Sequence, residues 1–265
     1  MNKIIAIGGG EIGWQGRPVE TAEIDNEIIR LSGKRRPRLL FLPTAASDAE
    51  SYCQAVQQHF GQRLGCVIDV LYLIRQNLSK QQITDKVLSS DIVYVGGGNT
   101  GKMMRVWKKS GADDVLRRAY EKGIVLSGLS AGAICWFESG NSDSRRFENP
   151  GADLIRVRGL GLVNALFCPH YDFEPGRKPD LKKMMKRVDG VAVAVDNCCA
   201  VEIVDDNYRV ISSKPGANAY RVCWSRGEFF EEIIEKRQEF GPLSELLNKR
   251  HRLDSSLAPP TRNGH

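Results

Sequence analysis

The stretch Gly123-Ile124-Val125-Leu126-Ser127-Gly128-Leu129-Ser130-Ala131-Gly132-Ala133 decides the reading of the whole chain. An apolar run of strand length leads into a turn of small residues with Ser130 at its apex, flanked by Gly128 and Gly132 in the pattern G-x-S-x-G. A serine on a tight strand-to-helix turn has its hydroxyl pushed out above the sheet. The N–H of the next residue then faces the place where a tetrahedral oxyanion forms. The same pentapeptide also fits an ordinary Gly/Ser loop, so the rest of the chain has to decide.

Outward from the turn, apolar runs recur at residues 4–7, 39–42, 67–73, 92–95 and 124–126. Segments with helical spacing of apolar residues lie between them, at 18–31, 48–60, 79–88, 100–108 and 113–120. This alternation predicts an α/β fold: an open, mostly parallel, flavodoxin-like sheet with helices on both faces. Later runs at 191–195, 200–204, 208–211 and 220–224 follow one another across short turns and predict an antiparallel C-terminal extension. Residues 228–240 read as a terminal helix. The expected organisation is a single hydrolytic domain over 1–252, followed by a disordered tail at 253–265 rich in Ser, Pro, Asn and Gly.

Composition narrows the function classes. With 42% hydrophobic and 26% charged residues the chain matches a soluble globular protein, and no apolar run is long enough for a membrane span. The first residues read as a strand rather than a secretory leader. A net charge of +6 spread over 265 residues is too mild for a nucleic-acid partner, and the basic stretch 178–187 reads as an exposed helix. Seven cysteines without C-x-x-C spacing, two of them adjacent at Cys198 and Cys199, argue against a disulfide framework or a metal site and for a reducing cytoplasm. An exposed antiparallel edge and the apolar segment near Phe229-Phe230 are compatible with a homodimer.

Two glycine-rich turns precede the serine. Gly8-Gly9-Gly10-Glu11-Ile12-Gly13 matches G-x-G-x-x-G after a strand. The ribose-binding acid expected at the end of the next strand is replaced by Pro43-Thr44-Ala45-Ala46, so a plain tight turn is the better reading. Gly96-Gly97-Gly98-Asn99-Thr100 also follows a strand and opens a helix. It either turns the chain, cradles a phosphate, or supplies the Gly98 N–H as a second oxyanion donor beside that of Ala131. A non-catalytic nucleotide- or phosphate-binding protein is the rival reading from another class.

A serine nucleophile needs a base, and the chain has four histidines. His59 belongs to an amphipathic segment before the turn, and His251 and His265 lie near the polar tail. His170 follows the apolar run 162–168 and Pro169, at a strand end, and is the candidate base. For the third member Glu202 is favoured, since an acid inside an apolar strand requires a partner if it faces inward. Asn197, Asp172 and Asp143 are the alternatives.

With Gly96-Gly97-Gly98-Asn99-Thr100, Gly128-Leu129-Ser130-Ala131-Gly132-Ala133 and Pro169-His170-Tyr171-Asp172 in this order, the chain resembles the dipeptidase E/cyanophycinase family of serine peptidases over residues 1–224. That family is similar in fold to class I glutamine amidotransferases, which carry cysteine where Ser130 stands. The resemblance implies Ser130 as nucleophile, His170 as base, Gly98 and Ala131 as oxyanion donors, and neither metal nor organic cofactor. It also implies a short peptide substrate with an aspartyl or β-aspartyl residue at the cleaved bond. The cation needed to hold such a carboxylate is sought in Arg145, Arg146 and Arg177, with Asn99 as a further substrate contact. The chain departs from the family where a glutamate is expected near Asp196-Asn197, because an amide at Asn197 orients an imidazole without offsetting its charge. Hydrolysis of another amide or an ester by the same pair is the alternative within the enzyme class.

Overall fold

The computed structural model describes residues 1–174 and 176–249. The tail expected at 253–265, with His251 and His265, lies outside the described residues. The chain opens with β1 (Lys3–Ile7), α1 (Ala22–Ser32), β2 (Arg38–Leu42), α2 (Glu50–Val56), β3 (Val67–Val70), α3 (Lys80–Leu88), β4 (Ile92–Val95), α4 (Thr100–Ser110), α5 (Ala112–Glu121) and β5 (Val125–Leu129). It continues through α6 (Ala131–Ile134), β6 (Phe137–Ser142), β7 (Ile155–Arg158), β8 (Val163–Cys168), α7 (Arg177–Met185), β9 (Val191–Val195) and β10 (Cys199–Val204). The last elements are β11 (Asn207–Ser212), β12 (Ala219–Ser225), β13 (Glu228–Ile233), β14 (Gly241–Pro242) and α8 (Leu243–Leu247).

The main sheet has the order β14-β11-β10-β1-β5-β4-β2-β3. Strands β1, β5, β4, β2 and β3 are mutually parallel, and β10, β11 and β14 extend the β1 side antiparallel. The fold is thus mixed α/β with a parallel centre, as the alternation of runs predicts. The period-2 alternation of strand side chains divides the core between the two faces. Ile4 and Ala6 of β1 with Leu40 and Leu42 of β2 face α3, α4 and α5 through Ile83, Met103, Trp107 and Val115. Ile5 and Ile7 with Leu39 and Phe41 face α1 and α2 through Ile24, Ile28, Tyr52 and Val56.

A second, six-stranded sheet of order β13-β12-β9-β8-β6-β7 carries the rest of the chain. It is mixed, with β6/β8 and β8/β9 parallel and the other pairs antiparallel. The later strands therefore do not form one extension: β10 and β11 join the main sheet, whereas β9 and β12 build the second. The helix expected over 228–240 is instead strand β13, paired with β12 from Ser225↔Glu228 to Tyr220↔Ile233. Arg226 and Gly227 have φ of 51° and 86°, the left-handed pair that a two-residue hairpin turn requires. That turn overrides the helical spacing of the apolar residues beyond it. The stretch 178–187 is helical as far as Met185, in α7, but its cations cover aromatic rings: Lys178, Lys182 and Lys186 sit about 5 Å from the centroids of Tyr171, Phe229 and Trp224.

Candidate active site

The C-terminal ends of β1, β2, β4 and β5 converge on one rim, and the backbone just after β1 fixes what assembles there. Three successive carbonyls accept amide hydrogens from three different loops. Ile7 O accepts from Ser130 N–H at 3.0 Å, Gly8 O from His170 N–H at 3.1 Å, and Gly9 O from Cys198 N–H at 2.9 Å. The glycines of this turn are demanded by what packs against them. A Cβ on Gly8 would lie 2.8 Å from the carbonyl carbon of Val195, and one on Gly9 would lie 2.6 Å from His170 Cε1 and still closer to Asn197 Oδ1. The turn is therefore the seat of the histidine, a role its likeness to a dinucleotide motif did not reveal.

Ser130 stands between β5 and the single turn α6 with φ 55° and ψ −109°, a strained backbone that aims its side chain off the rim. Gly128 and Gly132 let strand, turn and β4 approach: a Cβ on Gly132 would meet the Val95 carbonyl carbon at 2.6 Å. His170 is also left-handed, with φ 52°. Its Nε2 lies 2.8 Å from Ser130 Oγ, and its Nδ1 lies 2.7 Å from Asn197 Oδ1. The amide oxygen accepts from Nδ1–H, which leaves the Nε2 lone pair for the serine hydroxyl. Burial pushes the imidazole below its ordinary range, against the opposing pull of Asn197, so the ring is neutral and basic near pH 7. Asp172 reaches the same group from behind, its carboxylate accepting the Asn197 N–H at 2.8 Å.

The loop after β4 lies against the serine. A Cβ on Gly97 would come 3.5 Å from Ser130 Cβ, and Gly98 has φ 134° with its Cα packed on the Ala45 carbonyl. The Gly98 N–H has no protein acceptor among the described residues, and that of Ala131, in the first turn of α6, has no helical carbonyl to bond. Ala131 adjoins Ser130 in the chain, and Gly98 follows the glycine that packs on the serine.

The remaining site candidates are placed differently. Glu202 is fully buried in β10, opposite Ile5 of β1, and its carboxylate pairs with Arg209 at 2.6 Å. The partner it needed is an arginine on the neighbouring strand, not the imidazole, and Asn197 occupies the position beside Nδ1. Asp143 lines the cleft next to these groups, with its carboxyl raised by burial against the pull of Arg177, but the histidine's two ring nitrogens are already engaged. Arg145, Arg146 and Arg177 do not line the cleft. Arg145 is exposed, and Arg146 donates to Ala152 O. Arg177 is buried at 1% exposure and spent on Asn141 and Glu174. Asn99 does line it, but its Oδ1 caps α4 by accepting from Lys102 N–H, and its Nδ2 donates to Ser144 O.

The cleft has a volume of about 1520 Å³. Trp14 forms part of its wall, stacked on Tyr52 with ring centroids 4.6 Å apart and planes 7° from parallel. Its cations among the described residues are Arg17, Lys102 and Lys214. No group of three or more His, Cys, Asp or Glu among the described residues is arranged to hold a metal ion. No helix among them is long and apolar enough to cross a membrane. The seven cysteines are unpaired and buried.

Comparison with known proteins identifies the family of the chain. Residues 4–211 match the model of peptidase family S51. The chain is 37% identical over 233 residues to the uncharacterized peptidase YgaJ of Bacillus subtilis, covering 87% of this chain and 96% of that one. It is 24% identical over 226 residues to peptidase E of Streptomyces coelicolor, covering 82% and 85%. Among solved structures, a peptidase from an acI-B1 actinobacterium superposes with a TM-score of 0.68 at 19% identity, over 91% of this chain and 97% of that one. The chain belongs to peptidase family S51 and is a serine-type peptidase.

Proposed function

We propose that the protein hydrolyses short peptides with an aspartyl or β-aspartyl residue at the cleaved bond, through an acyl-enzyme on Ser130. The observation that carries this reading is the 2.8 Å contact of Ser130 Oγ with His170 Nε2, and the Gly98 N–H, without a protein acceptor among the described residues, supports it. His170 takes the serine proton as Oγ attacks the carbonyl carbon, and the N–H groups of Gly98 and Ala131 hold the oxyanion. The imidazolium then gives its proton to the leaving amine. Water, deprotonated by the same ring, releases the acid and restores Ser130. Asn197 keeps Nδ1 protonated and the ring oriented throughout, while Asp172 fixes the Asn197 backbone. The preference for an acidic residue rests on kinship with peptidase E proteins and on a cation in the cleft.

The test is a panel of Asp-X peptides, isoaspartyl peptides and simple esters, hydrolysed by wild type, Ser130→Ala and His170→Ala. Acidic peptides should be the best substrates, and each variant should lose about 10³-fold or more in kcat/KM while keeping the wild-type melting temperature. Near-normal turnover by either variant would refute the assignment. A preference for the esters would move the activity to a different acyl bond.

A further inference from the structure

We propose that Lys102 is the residue that reads the substrate's acidic side chain, on the acyl side of the cleaved bond. The assignment rests on the serine-peptidase reading above. Of the three cations that line the cleft, Arg17 is paired with the Glu11 carboxylate and Lys214 with that of Glu20 at 2.6 Å. The three arginines near the turn are exposed, tied to backbone, or buried on Asn141 and Glu174. Lys102 alone among these cleft cations has no carboxylate partner among the described residues. Its ammonium donates to Ser47 Oγ at 2.8 Å, one of three available hydrogens. Ser47 is itself a residue of the cleft wall, so the contact holds the cation at the rim without neutralising it.

Position supports the same role. Lys102 lies in the first turn of α4, whose start is fixed by the Asn99 cap immediately after Gly97 and Gly98. With the Gly98 N–H as oxyanion donor, as proposed above, a carboxylate held by Lys102 belongs to the residue that donates the reacting carbonyl or to one close beside it. The N-terminal end of this eleven-residue helix adds a favourable field for an anion there. A lysine here serves as a single compact charge on a flexible stem. That suits carboxylates at slightly different reach, as in aspartyl and β-aspartyl peptides.

Three dipeptides separate the possible sources of the carboxylate: Asp-Leu, Asn-Leu and Asp-Leu amide. Each is assayed for kcat/KM with wild type, Lys102→Gln and Lys102→Arg, with melting curves on all three proteins. The expected result is that the Asp:Asn preference falls about tenfold in Lys102→Gln, the worth of one charge-assisted hydrogen bond, and returns in Lys102→Arg. The acid:amide preference at the C-terminus should not change. An Asp:Asn ratio unaltered by Lys102→Gln overturns the assignment while leaving the peptidase reading intact. Collapse of the acid:amide ratio instead overturns it in favour of a contact with the leaving residue. If wild type cleaves none of the three peptides, the reading on which the assignment rests fails with it.

Discussion

Replacing Gly9 by alanine tests the seat of the histidine without touching a reacting group. Gly9 is not among the left-handed residues, so its backbone does not bar a side chain. The new methyl would lie 2.6 Å from His170 Cε1, whereas ordinary contact begins near 3.4 Å. The ring, whose Nδ1 is nearer still, must therefore retreat by at least about 0.8 Å, and the Asn197 amide must move as well. Displacement of a reacting group by about 1 Å costs on the order of 10²-fold in rate. Overpacking of this kind also costs stability, of order 1–3 kcal/mol. The assay is kcat/KM on the best acidic peptide, read beside a thermal melt that confirms folding. Gly9→Ala should remain folded and lose about 10²-fold. Activity within threefold of wild type would refute the claim that this glycine exists to seat the imidazole.

The acid limb of kcat/KM should have its midpoint below 6.5, since burial lowers His170 and only the neutral ring accepts the serine proton. In Asn197→Asp a carboxylate replaces the amide beside Nδ1, stabilises the imidazolium, and should move that limb up by about one pH unit or more. Glu202 makes the opposite kind of prediction, about stability. Burial raises it from 4.5 to about 7 against the pull of Arg209, and Glu27, nearer to water, keeps the charge. The folded protein thus holds a proton that the unfolded chain releases as pH rises from 4.5 to about 7, so this group's contribution falls across that window. The melting temperature of Glu202→Gln should accordingly gain on that of wild type between those pH values. A constant difference across the window would contradict the reading.

Much of the rim is legible in the residues because its signals are local. An apolar run ending in Gly-x-Ser-x-Gly, a second ending in three glycines, and a histidine at a third strand end point to one edge of a parallel sheet. The structure brings Ser130 and the Gly97–Gly98 turn to that edge, and His170, which follows β8 of the second sheet, meets them there through its bond to Gly8 O. What depends on pairing between distant strands is not legible. Whether Glu202 faces the imidazole or Arg209 is settled by the β10/β11 register, in which Glu202 lies opposite Arg209. The same blindness hides the second sheet, since β9 and β12 look like neighbours of β10 and β11 until their partners are known. The 228–240 segment misleads for a different reason: the decisive signal is the Arg226-Gly227 turn before it, which outweighs apolar spacing within it. The arginines at 145, 146 and 177 stand near the site in the chain, but their guanidinium groups do not enter the cleft. The Gly8-Gly9-Gly10 turn carried a readable signal, three glycines at a strand end, which pointed to close packing without saying against what.

The most direct measurement of the central claim is covalent capture of the nucleophile. Wild type, His170→Ala and Ser130→Ala would each be treated with a fluorophosphonate, followed by intact mass and peptide mapping. Activation of Ser130 by His170 predicts a single adduct on Ser130 in wild type, formed far more slowly in His170→Ala and absent in Ser130→Ala. No adduct in wild type, or one formed at the same rate when His170 is removed, would contradict it.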